Sequence, residues 1–74
     1  MNTAADAQIT IQLDGQPHAL AAGTMLAQLV AALGHDELAV STAVNGEFVA
    51  RGQRAARVLL EADQVLLFQP IVGG

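Results

Sequence analysis

One segment fixes most of what this chain can become. Leu26, Leu29, Val30 and Leu33 stand at i, i+3, i+4 and i+7, the apolar stripe of one amphipathic helix. Thr24 precedes the stripe as the expected N-cap, its hydroxyl placed to accept a bond from the first turn. Gly34 closes it where a left-handed residue ends a helix. Elsewhere the apolar residues follow a strand pattern. Ile9, Ile11 and Leu13 alternate with Thr10 and Gln12, the period of a half-buried strand. Asp14-Gly15 follows, suited to a type I′ turn because both central residues need positive φ, and residues 16–20 form the return strand. Pro17 has no N–H for a ladder, so this strand belongs at a sheet edge. After a polar loop at 35–37 comes a strand over 38–44, with Leu38, Val40 and Val44 on one face. Asn45-Gly46 marks a second tight turn and 47–50 its short return strand. Residues 51–57 are polar, with room for a helical turn; 58–60 are apolar, 61–63 turn, and 64–69 make the final strand that Pro70 ends. One stripe and one sheet face leave a two-layer α+β answer, a mixed sheet wrapped on a single helix.

Composition narrows the function. A chain of 74 residues makes one domain with a small core, and an enzyme cleft between two lobes is not expected. With 53% hydrophobic and 14% charged residues it is not a disordered tail. It has no Cys, so disulfides, thiolate metal sites and Cys nucleophiles are excluded. Net charge is −4, with three Arg and no Lys, which argues against nucleic acid or an anionic membrane as partner. No apolar run reaches the ~18 residues of a membrane span. Residues 1–7 are small, aperiodic and without a basic residue, which reads as a flexible leader rather than a signal peptide. The expectation is a cytoplasmic protein with a folded domain over 8–69 and an extended tail over 70–74.

Two features of the last strand and tail carry the functional reading. Val65 and Leu67 take one face and Leu66 and Phe68 the other, so both faces of this strand are apolar. With Val65 and Leu67 against the helix, Leu66 and Phe68 lie on the open face. They are either covered by loops or a second copy, or they form a docking patch for another protein, with Phe68 as anchor. The tail, Pro70-Ile71-Val72-Gly73-Gly74, carries no charged side chain. Pro70 stiffens the exit, and two terminal glycines without Cβ can enter a narrow channel and approach a nucleotide closely. A carboxylate is a poor acyl donor until it is joined to a phosphate. The acyl carbon of Gly74 is as unhindered as a peptide terminus allows.

The segment from Val44 to Gly74 resembles the ThiS family, the sulfur carriers of thiamine biosynthesis. The residues that carry the resemblance are Val44-Asn45-Gly46-Glu47-Phe48-Val49, Arg51, Gln53, Ala55, Leu60, Asp63, the run from Gln64 to Gln69, and Gly73-Gly74. The Asp-Gly hairpin and the Gly-Thr entry into a Leu-rich helix extend it over nearly all of the chain except the leader. Two positions depart from the family pattern: Ala62 where Gly is usual and Ala50 where Pro is frequent. The resemblance implies a β-grasp (ubiquitin-like) fold, a four- to five-stranded mixed sheet on one helix with first and last strands central and parallel. It implies a carrier rather than an enzyme. A ThiF-like adenylyltransferase using ATP and Mg²⁺ would adenylate Gly74, and sulfur from a cysteine desulfurase or other relay would convert the adenylate to a thiocarboxylate. ThiG, the thiazole synthase, would take that sulfur. No cofactor is expected on the carrier itself.

Two other readings compete with this one. The small subunit of molybdopterin synthase uses the same tail chemistry, and Phe68-Gln69-Pro70 partly echoes it. A β-grasp interaction module or modifier would lack sulfur chemistry, although the absence of Lys disfavours chain-forming modifiers. Arg51, Arg54 and Arg57 are the only cations, and they are either solubilising surface charge or contacts for an acidic rim on the activating enzyme. His18 and His35 have neither i, i+4 spacing nor Cys companions, so no metal site is expected. Asp36-Glu37 reads as a solvated loop.

Overall fold

The computed structural model of the protein describes residues 7–69. The chain runs β1 (Gln8–Leu13), β2 (Gln16–Ala21), α1 (Leu26–Ala32), β3 (Ser41–Val44), β4 (Glu47–Val49), a 3₁₀ helix (Arg51–Ala56) and β5 (Gln64–Phe68). One five-stranded sheet has the order β2-β1-β5-β3-β4. β1 and β5 are parallel, and the other pairings are antiparallel. The last strand therefore lies in the middle of the sheet beside the first, and Pro17 lies on an edge strand, both as expected. The two tight turns hold the expected conformation, with positive φ at Asp14 and Gly15 and at Asn45 and Gly46. Ala7 extends the first hairpin, since its carbonyl accepts the Ala22 N–H at 3.0 Å.

The core lies between α1 and one sheet face. Leu26, Leu29 and Val30 of the helix meet Ile11, Val44, Val49 and Val65 of the sheet, with Val40 and Leu59 completing the cluster and Leu33 packed at its margin. Three local details differ from the sequence reading. Thr24 is not the N-cap of α1; Met25 is. The Thr24 hydroxyl turns back and donates to the Ala21 carbonyl at 2.6 Å, a local bond that competes with capping. Other groups satisfy the free N–H groups at the helix start. Leu26 donates to the Arg57 carbonyl at 2.8 Å, and the Met25 N–H donates to Gln28 Oε1 at 2.8 Å. Val58 forms an isolated bridge with Met25.

The second difference is Leu38, expected on the buried face of a strand but exposed. Asp36 takes the chain into a turn first: its Oδ1 accepts the Leu38 N–H at 2.9 Å, and its carbonyl accepts the Ala39 N–H at 2.9 Å. β3 therefore starts only at Ser41. The third is at strand ends: β4 ends at Val49 rather than residue 50 and β5 at Phe68 rather than residue 69, while β2 runs on to Ala21. At its other end α1 stops as expected. Gly34 at φ +80 donates to Ala31 and His35 donates to Val30, the paired bonds of a Schellman motif. Among the described residues no helix is long and apolar enough to cross a membrane.

Candidate functional site

β5 precedes the tail, and both hairpin turns grip it. At the second turn the Asn45 N–H donates to the Gln64 carbonyl at 2.7 Å, while Asn45 Oδ1 accepts the Gln64 N–H at 2.9 Å. The same side chain donates through Nδ2 to Asp63 Oδ1 at 2.9 Å. Asp63 is buried, and its other oxygen accepts the Leu60 N–H at 2.8 Å. At the first turn the Asp14 N–H donates to the Val65 carbonyl at 2.9 Å, and Asp14 Oδ1 accepts the Leu67 N–H at 3.1 Å. The two dipeptides chosen for their positive φ therefore also supply side chains that fix the last strand. The tail residues expected to enter a partner's channel, Pro70, Ile71, Val72, Gly73 and Gly74, lie outside the described residues.

The sheet face away from α1 divides into two halves. On β5, Val65 is fully buried and Leu67 packs on the core, while Leu66 and Phe68 are 48% and 47% exposed. Register adds a residue that the sequence reading did not assign to this face. Ala43 lies opposite Leu66 on one side and opposite Phe48 on the other, so Leu66, Ala43 and Phe48 form one row across β5, β3 and β4. Phe48 is 67% exposed. The signal was present: a two-residue Asn-Gly turn pairs Val44 with Glu47 and hence Ala43 with Phe48. The other half of the face, on β1 and its neighbour, presents Thr10, Gln12 and Gln64. A sheet covered on one side normally turns polar residues outward; here only the β1 half does so.

The three arginines do not form one patch. Arg54, expected at the surface, is 4% exposed. Its Nε donates to Thr42 Oγ1 at 3.2 Å. Nη1 reaches the Glu37 carbonyl at 3.0 Å and Nη2 the Val40 carbonyl. A guanidinium fork thus ties the 3₁₀ helix to the loop before β3 and to β3 itself, where the Thr42 hydroxyl also donates to the Val49 carbonyl at 2.9 Å. It is held away from any partner. Arg57 lines a shallow depression with Phe48, Val49 and Gln53, which places a cation at the margin of the apolar row. Arg51 lines a different hollow, against Ala27, Val30 and His35 of the helix side. His18 is in β2 opposite Ile11. Among the described residues no group of three or more metal-ligating side chains occurs.

A five-stranded sheet of this order on one helix, followed in the sequence by Gly73-Gly74, has counterparts among known proteins. The family model for the ThiS family matches residues 8–74. The Escherichia coli sulfur carrier protein ThiS is 34% identical over 64 residues, covering 86% of this chain and 97% of that protein. In fold, the crystal structure of the thiamine biosynthesis protein (ThiS) from Geobacter metallireducens superimposes with a TM-score of 0.80 at 23% identity, covering 89% of this chain and all of that one. Of the three readings that the sequence allowed, the match is to the carriers of thiamine biosynthesis. Because the family match runs from the first strand through the terminal glycines, the chain belongs to the ThiS family.

Proposed function

We propose that the protein carries sulfur for thiazole formation in thiamine biosynthesis, as the co-substrate of other enzymes. The carboxylate of Gly74 attacks the α-phosphate of ATP in the active site of a ThiF-like adenylyltransferase with Mg²⁺, and pyrophosphate leaves. A persulfide on a cysteine desulfurase or another relay then attacks the acyl carbon and displaces AMP; a second thiol of the relay cleaves the acyl disulfide that results, leaving as a disulfide, and the thiocarboxylate so released donates its sulfur to a thiazole synthase of the ThiG type. Residues 70–73 thread the partner's channel. Leu66, Phe68 and Phe48 meet the partner's surface, and Arg57 faces an acidic group at the rim, with Arg51 further round. The setting is cytoplasmic, where ATP and the relay are available, and no cofactor stays on the carrier.

The observation that carries this reading is the family match reaching residue 74 on a domain whose central strand leads directly to the tail. The absence of Cys makes a direct test possible. Exchanging oxygen for sulfur gives a mass gain close to that of methionine oxidation, so mass alone is ambiguous with Met1 and Met25 present. The protein is incubated with the activating enzyme, ATP and a sulfur source, then treated with a thiol-alkylating reagent. The expected result is one adduct, located at Gly74 and dependent on ATP. No adduct under conditions where the E. coli carrier reacts would sink the proposal.

A further inference from the structure

The geometry points to Asp14 as a positioning residue for the tail, acting through β5. The inference rests on the carrier reading. β1 runs parallel to β5 with Leu13 opposite Val65 and then leaves the sheet at the Asp14-Gly15 turn. The parallel ladder has reached Gln12 N–H on the Asp63 carbonyl and Asp14 N–H on the Val65 carbonyl. Its next bond would carry the Leu67 N–H to the main-chain carbonyl of Asp14. The chain has turned by then, and the Asp14 carboxylate takes that place at 3.1 Å. On the other side β3 pairs with β5 as far as Ser41 opposite Phe68. Asp14 thus makes the grip on β5 nearly as long on the β1 side as on the β3 side. Without this acceptor the β1 side would end at Val65. The root of the tail would then have more conformations to lose whenever a partner holds Gly74, and this lowers affinity without touching the chemical step.

Position 14 permits a clean test, because Asp-Gly, Asn-Gly and Gly-Gly all form the same turn. Asp14 sits at φ +51, which Asn and Gly tolerate, and only Asn keeps an acceptor oxygen. Wild type, Asp14→Asn and Asp14→Gly are compared in ATP-pyrophosphate exchange by the activating enzyme, and by amide hydrogen exchange of the free proteins. For Asp14→Gly we expect faster exchange at Leu67 and a KM for the carrier raised about two- to tenfold, the range of one lost hydrogen bond, with kcat unchanged. Asp14→Asn should restore both. If Asp14→Gly behaves as wild type, or Asp14→Asn is equally impaired, or kcat falls in place of the KM effect, the role assigned to Asp14 is wrong. If wild type itself supports no exchange, the carrier reading fails first and takes this role with it.

Discussion

At the scale of single residues, Ala62 carries a local backbone cost. It sits at φ +72, a left-handed conformation in which its Cβ crowds the following carbonyl. Glycine would remove that strain, while adding some freedom to the unfolded chain. Ala62→Gly should therefore stabilise the fold by about 0.5–1 kcal/mol. A thermal melt should rise by roughly 4 °C for a domain of this size; an unchanged or lower midpoint would contradict the strain. Arg54 shows the opposite case, a charged residue that the fold requires. Arg54→Ala would strip hydrogen bonds from the Glu37 and Val40 carbonyls and from Thr42, and should cost about 2–4 kcal/mol in urea unfolding. Arg54→Lys should recover only part of this, because an ammonium cannot span three acceptors as the planar fork does. The role of Arg54 was not legible in the sequence, whereas Ala62 was already marked there as standing where the resemblance leads one to expect Gly. The partners of Arg54 come from 37, 40 and 42, and only the tertiary fold brings them to it. The Thr24 cap failed for a related reason: a hydroxyl has several local acceptors, and here the one three residues back won.

At the scale of elements, the half-apolar sheet face is the feature with consequences. Leu66 and Phe48 flank Ala43 in one cross-strand row, with Phe68 two residues along β5. Since all three large side chains are exposed, their removal should leave stability nearly unchanged and act on association alone. Phe48→Ser and Leu66→Ser should each weaken binding to the activating enzyme by ~1–2 kcal/mol, read by calorimetry, with melting temperature within a degree or two of wild type. Full affinity in the double variant would mean that partners approach from elsewhere. This face was half visible beforehand. Period-2 alternation separated Val65 and Leu67 from Leu66 and Phe68, and the alignment usual in the β-grasp chains that this one resembles, not periodicity, decided which pair faces the helix. Phe48 needed the register of the second hairpin as well. The helix and both turns were legible because their signals are local. The strand over 38–44 was overextended because the Asp36 side chain, satisfying the Leu38 N–H, outweighed the apolar pattern.

At the scale of the whole molecule, the order β2-β1-β5-β3-β4 puts the strand that bears the tail where it has neighbours on both sides. The topology was anticipated from one helical stripe and two hairpins, with the family resemblance supplying the order of strands that periodicity cannot give. Physically, a parallel neighbour on one side and an antiparallel neighbour on the other must both be sheared before β5 can slide. Under the proposed cycle, a partner that pulled on β5 through the tail would load the strand along this axis. The load would fall on many bonds at once instead of peeling an outer strand one pair at a time, so the fold would resist a pull on β5 better than the same pull on β2 or β4.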